Sequence, residues 1–138
     1  MATIGVFANI LNDKGEVLCV QRNYPPYGWT VPGGRLEDGE SPEDGVTREV
    51  LEETGYKVVI ERLVGLYSAP FKSDIVIYFS CRIVAREDWQ PDSEIAAAEF
   101  FPVDDLPSPM KNNTRVRILD AHAGKTGAWK TFSKEEHS

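Results

Sequence analysis

The chain has 138 residues, 41% of them hydrophobic and 27% charged, a length that suits one domain, residues 1–138, and leaves no room for a second. Its formal net charge of −7 argues against a nucleic-acid polymer as partner, because phosphate backbones are held by an excess of Lys and Arg. A small phosphorylated substrate stays open, since bound metal ions invert local charge. The first residues lack the basic start and cleavage pattern of a secretory signal, and no apolar run approaches the roughly eighteen residues of a membrane span. Cys19 and Cys81 sit in apolar segments without metal or disulfide spacing, so they read as buried, reduced thiols and the expected compartment is the cytoplasm.

In chain order, residues 3–11 and 16–22 read as two strands joined by a turn at Asn12-Asp13-Lys14-Gly15. Their apolar character suits a hairpin covered on both faces. Arg22 closes the second strand ahead of a Pro-rich and Tyr-rich loop, and is either an exposed rim charge or a phosphate contact. Residues 29–32 form a short strand in which Pro32 favours an edge or an end. Gly33 and Gly34 follow as a loop, either a plain tight turn or a place where a ligand approaches the backbone.

The next stretch carries helix signals. Ser41 can cap, Pro42 suits the first helical position, Asp44 completes an acidic variant of the capping box, and Gly55 supplies the stop. At about 100° per residue, Glu49, Glu52 and Glu53 share one edge while Val46, Val50, Leu51 and Thr54 share the other. Glu49 and Glu53 are four apart, a like-charge spacing that costs an isolated helix about 0.2–0.5 kcal/mol. The three acids also lie in the C-terminal half, where the helix dipole is negative and welcomes a cation. Such an edge is either a solvated face or a cation site. Oxygen donors without His or Cys point to a hard ion, magnesium, manganese or calcium, and three carboxylates suggest more than one ion.

The spacing of Gly34, Glu40, Arg48, Glu49, Glu52, Glu53 and Gly55 resembles the Nudix box, the signature of the Nudix hydrolase family, at all its fixed Gly, Glu and Arg positions. Of two positions the family fills with aliphatic residues, Val50 conforms and Tyr56 is bulkier, which bears on packing at the helix exit. The resemblance implies an α/β (α+β) class, the Nudix fold, with a mixed β-sheet sandwiched between α-helices. It implies hydrolysis of a nucleoside diphosphate linked to another group, with a divalent cation required, Mg2+ or Mn2+ in its place. It also implies that Gly33 offers its carbonyl to a metal. Arg48, otherwise an i,i+4 partner of Glu52, would hold a glutamate ionised and correctly turned.

The chemistry of the residues agrees. A diphosphate repels an incoming hydroxide, so a catalyst has to neutralise the phosphates and activate water together. Glu49, Glu52 and Glu53 are the expected metal ligands. Glu52 is favoured as general base, although spacing does not separate a ligand from a base, and Arg48 and Glu49 stand with it as catalytic candidates. Glu40 and Gly34 are expected behind the ligands, around the loop and the helix start.

Further along, residues 57–68 and 73–84 read as antiparallel neighbours, with residues 75–79 in a central strand. In the link between them Phe71 is either core or part of a base-stacking pocket. Glu94, in a polar loop, is similar to the loop carboxylate that completes the metal site in several Nudix members; otherwise it is a solvated acid. A helix over residues 114–123 offers Val116, Leu119 and Ala123 as a core stripe, with Ile118 beside it and His122 at the surface. From Gly124 the tail is polar except for Trp129 and Phe132, and is either loose or packed back on the domain.

The substrate class is weakly marked. Arg22, Tyr27, Trp29 and Phe71 are the candidate substrate contacts, the aromatic ones by stacking a base. Pro70 falls near where the ADP-ribose-cleaving Nudix members tend to carry a proline. ADP-ribose, nucleotide sugars and (d)NTPs all remain open, with water attacking phosphorus. The alternatives are a non-catalytic nucleotide- or metal-binding module on the same fold and a structural calcium site. The expected partner is a small nucleotide, with no membrane, for a monomer or homodimer.

Overall fold

A computed structural model describes residues 1–138. The strands are β1 (Thr3–Ile10), β2 (Val17–Arg22), β3 (Trp29–Thr30), β4 (Gly33–Arg35), β5 (Tyr56–Ala69), β6 (Asp74–Arg86), β7 (Ile95–Phe101) and β8 (Ala128–Thr131). The α-helices are α1 (Pro42–Thr54), α2 (Asn112–His122) and α3 (Lys134–His137), with a 3-10 turn at Pro70–Lys72. A mixed five-stranded sheet has the order β4-β1-β6-β5-β8, and an antiparallel three-stranded sheet has the order β3-β2-β7.

Alternation along the central strands builds a core on each face of the large sheet. Val6, Ala8, Ile10, Phe79 and Cys81 meet Val46 and Val50 of α1 on one side. On the other, Val64, Tyr67 and Tyr78 meet Ile118 and Ala121 of α2, with Phe7 and Val76 packed against them. Val46 and Val50 are fully buried, each contributing about 1.5–3 kcal/mol to holding α1 on the sheet. The sheet is thus sandwiched between helices, as the Nudix resemblance implies, and β6 is central as its unbroken apolar run predicts. Both cysteines are buried and free, and burial pushes each thiol up to about 12.

Three expectations need correction, and one open alternative is decided. Residues 3–11 and 16–22 do not form a hairpin along their length. Asn12 Oδ1 accepts from the Lys14 and Glu16 amides (3.0 and 2.9 Å) and makes the turn, but pairing stops at a Leu11–Val17 bridge. Beyond it β1 runs between β4 and β6 while β2 runs between β3 and β7. Gly33 and Gly34 belong to a strand, paired with Phe7 and Val6, and not to a loop.

The third correction concerns α2, whose apolar stripe is not its buried face. Leu119 is 52% exposed and Ala123 is exposed, while Asn113, Thr114, Arg117, Ile118, Asp120 and Ala121 are buried. The buried polar groups find partners that a sequence does not display. The Arg117 guanidinium lies over the Phe7 and Tyr78 rings (4.9 and 5.5 Å). Asp120 accepts from Tyr67 Oη and from Lys130 Nζ (2.8 and 3.0 Å).

That second bond also ties down β8, and it bears on the alternative left open for the tail. Of the two alternatives for the segment after Gly124, the packed one holds: β8 pairs in parallel with β5, Phe132 is buried and stacks on Tyr67. A full capping box at Ser133 and Glu136 closes α3.

Candidate active site

Local signals place α1 as the sequence predicts. Ser41 Oγ accepts from the Asp44 amide (3.1 Å), Pro42 is the first helical residue, and Gly55 ends the helix at φ 77° with its N–H on the Leu51 carbonyl. Val46, Val50 and Thr54 turn inward, which leaves the acidic edge facing β4 and the loop before β7.

Arg48 organises that edge. Its Nε and a terminal nitrogen donate to the two oxygens of Glu40 (2.7 and 3.0 Å), a bidentate pairing that fixes both groups. The other terminal nitrogen donates to Glu49 (3.0 Å) and more weakly to Glu52 (3.4 Å). The guanidinium holds the Glu40 carboxyl below the usual carboxylate range. Glu40 thus braces Arg48 at the helix start, and Arg48 in turn orients Glu49.

The glycines let the helix come close. Gly33 has φ 155°, and a Cβ there would run into the Val6 carbonyl oxygen and the Phe7 ring. Its N–H donates to Glu53 Oε1 (2.9 Å); the ladder bond beside it is made instead by Pro32, whose carbonyl accepts from the Ala8 amide. A Cβ on Gly34 would touch the Glu49 carboxylate at 2.7–2.8 Å. Gly33→Ala is expected to cost more than about 2 kcal/mol of folding stability. Thermal unfolding checks this, and an unchanged midpoint would contradict the packing described.

Burial pushes the Glu53 carboxyl up to about 8, against the Gly33 N–H, and the neighbouring Glu49 and Glu94 push the same way. Glu49 is raised as well, by burial first and with Arg48 opposing. Glu52 is the most open of the three, its side chain 59% exposed. Glu52 and Glu53 face Asp92, Ser93, Glu94 and Ile95 across a cleft of about 360 Å³. Asp92 was not foreseen. Its Oδ1 accepts from the Glu94 and Ile95 amides (both 2.8 Å), a turn that the Asp-x-Glu spacing could have announced. Trp89, a lone indole in a polar loop, donates to the Glu52 carbonyl (3.0 Å) and anchors that loop to the end of α1.

No three carboxylate, imidazole or thiol groups converge on one point; Glu49 is turned to Arg48, Glu53 to Gly33, and Glu52 to the cleft. By chemistry the set nonetheless fits a hard divalent cation. Every donor is an oxygen, and Glu53 lies buried beside other acids with negative charge that Arg48, committed to Glu40 and Glu49, does not offset. Glu49, Glu52, Glu53, Glu94 and the Gly33 carbonyl are the groups that would hold it.

Next to the cleft, Arg22 and Trp29 line a second cavity of about 210 Å³ with Pro26, Gly28, Pro109, Met110, Lys111 and Ser138. The Trp29 ring is half-buried and edge-on to Phe101 (5.0 Å). Tyr27 lies between two lining residues but is itself 57% exposed. Phe71 is neither core nor on this wall: it is 47% exposed and meets His137 edge-on at 5.3 Å. Tyr56 acts in packing, against Phe100 and beneath Arg86.

A model of the NUDIX domain matches residues 1–121. A Bacillus subtilis protein named "Putative 8-oxo-dGTP diphosphatase" is 34% identical over 124 residues, which cover 90% of this chain and 83% of that protein. An "ADP-ribose pyrophosphatase" of Methanocaldococcus jannaschii is 32% identical, with 86% of this chain and 72% of that protein covered. Among solved structures, an ADP-ribose pyrophosphatase from Streptococcus suis superposes with a TM-score of 0.74 at 26% identity, over 96% of this chain and 100% of that one. No helix of the chain is long and apolar enough to cross a membrane. Nudix hydrolases in general use divalent metals, in keeping with the oxygen-only donor set around α1. With the box, the sandwich and the match over most of its length on one chain, the protein belongs to the Nudix family and is one of its pyrophosphohydrolases.

Proposed function

We propose that the chain hydrolyses the diphosphate linkage of a nucleoside diphosphate derivative, in the ADP-ribose and nucleotide-sugar class or the (d)NTP class, with Mg2+ as the working cation and Mn2+ as a substitute. The observation that carries this reading is the juxtaposition of an acidic cleft, lined by Glu52, Glu53 and Glu94, with a cavity lined by Arg22 and Trp29. One suits cation-bridged phosphates and the other suits the rest of a nucleotide. The names of the relatives, an 8-oxo-dGTP diphosphatase and ADP-ribose pyrophosphatases, span the two substrate classes.

In this mechanism a divalent cation, when bound, neutralises the diphosphate and eases the deprotonation of water. Glu49 and Glu53, themselves positioned by Arg48 and by the Gly33 N–H, would hold it. Glu52, turned to the cleft, takes the proton of the attacking water. A bond forms from the water oxygen to one phosphorus, and the bridging P–O bond on the opposite side breaks to release a phosphate product. The chain works as one domain, as a monomer or homodimer, and its two buried thiols favour the cytoplasm.

A metal titration against a panel of ADP-ribose, nucleotide sugars and nucleoside triphosphates tests the reading. Turnover should be absent in EDTA, restored by Mg2+ and Mn2+, and poor with Ca2+. Binding of Ca2+ in preference to Mg2+, without turnover on any substrate, would sink it.

A further inference from the structure

We infer that the cavity between β2, β3 and the start of α2 is a subsite for a phosphomonoester on the part of the substrate remote from the diphosphate being cut. This deepens the proposed function and rests on it for the position of the diphosphate.

The chain carries 22 acidic residues against 15 Lys and Arg, yet at this end four cations face a single acid, Asp74. Arg22 and Lys111 line the cavity, and Lys72 is close enough to act on Lys111. Arg117 is not on the cavity wall but lines a separate small void with His137 and Asp74, and its charge reaches this end of the fold from there. None of the four makes an ion pair: the pairs of the chain involve Arg48, Lys57, Arg82, Lys125 and Lys130.

Arg117 sharpens the point, because it is 3% exposed and one of its terminal nitrogens has no hydrogen-bond partner. Burial first, and then the charges of Lys72, Lys111 and Arg117, hold His137 down at about 4. The acid opposing them is Asp74, whose carboxylate accepts from Thr3 Oγ1 (2.7 Å). Like charges held together in this way are costly unless an anion joins them.

The cavity is also within reach of the chemistry. Arg22 pairs with Ile95, the next backbone amide Asn23 N donates to the Glu94 carbonyl (2.7 Å), and the Arg22 charge acts on Glu53. A substrate seated at the acidic cleft can therefore extend past Arg22 to Lys111. Base stacking is the weaker use of the space, since Trp29 is the sole aromatic on the wall and its ring is already set against Phe101. Part of the wall lies beyond residue 121, where the family match ends: Ser138 lines it, and Asn112 and Asn113 hold the Glu136 and His137 carbonyls (2.6 and 2.7 Å).

Two measurements on the full chain test this. In EDTA, inorganic phosphate is titrated while backbone amide shifts are followed by NMR. Saturable shifts at Arg22, Trp29, Met110 and Lys111 are expected, absent with chloride at equal ionic strength, and about tenfold weaker in the Lys72→Gln, Lys111→Gln double variant. With Mg2+, kcat/KM is compared for NADPH against NADH and for coenzyme A against 3′-dephospho-coenzyme A, pairs that differ only in a 2′- or a 3′-phosphate. At least one phosphorylated member should be preferred about tenfold, and the better pair tells which ester position is read. Absence of saturable shifts at those amides, shifts that persist in the double variant, or equal kcat/KM within both pairs would overturn the subsite. A chain that cleaves no diphosphate would overturn the proposed function instead, and the phosphate titration would still decide the subsite.

Discussion

Glu53→Gln is expected to lower metal-dependent turnover by about 10²–10⁴-fold while raising the stability of the metal-free protein at neutral and mildly alkaline pH. The substitution keeps the shape of a side chain that accepts from the Gly33 amide (2.9 Å) and removes a charge that burial and the neighbouring acids disfavour. The sign follows from linkage. The Glu53 carboxyl is raised in the folded state from 4.5 to about 8, so its contribution is fully present below about 4.5 and is lost as pH rises through about 8. In EDTA, the wild-type melting temperature should fall relative to that of Glu53→Gln between pH 5 and pH 8.5. Mg2+ should then raise the wild-type midpoint by mass action and leave the variant nearly unmoved. Near-normal turnover in the variant, or an equal response of both proteins to Mg2+, would remove Glu53 from the metal site.

Arg48→Met should be the second most damaging change, cutting turnover by about 10–100-fold through groups that Arg48 orients. It releases Glu40 from a bidentate hold and Glu49 from its one cation. Two pH effects of opposite sign accompany this. Glu40 is held below its ordinary value chiefly by its bond to Arg48, so its contribution to stability is present above about 4.5 and lost as pH falls through the lowered value; the variant should lack that acid-side loss. Glu49 is already raised by burial, with Arg48 opposing. Without the guanidinium it moves further up, and the activity of the variant should fall off at a higher pH on the acid side than that of the wild type. A variant with the wild-type acid limb in both stability and rate would show that Arg48 does not set the state of these carboxylates.

The opposite behaviour of Glu40 and Glu53 explains how much of this site was legible in the sequence. Residue spacing along one helix fixes which side chains share an edge, so the grouping of Glu49, Glu52 and Glu53 and the Ser41 and Gly55 caps could be read directly. The environment of each carboxylate comes from other elements. Gly33 donates to Glu53 because β4 pairs with β1, and Glu94 approaches because Asp92 and Trp89 shape the loop before β7. Apart from the Asp92 turn, none of those pairings has a local signal. The same limit accounts for the fold. The apolar run of β6 announced a central strand, while the divergence of β1 and β2 into separate sheets depends on long-range partners. In α2 the period of the apolar residues misled because Arg117 and Asp120 are buried against Phe7, Tyr78 and Tyr67, interactions that hydrophobicity alone does not register.

The most direct test of the account is hydrolysis of ADP-ribose, nucleotide sugars and (d)NTPs by the wild-type protein in ¹⁸O-enriched water with Mg2+. The account predicts cleavage of at least one of them, with a single ¹⁸O atom in one of the two phosphate products and none in the other, and loss of the reaction in Glu53→Gln. Binding of the same nucleotides without release of product, or release with no ¹⁸O on phosphorus, would contradict it.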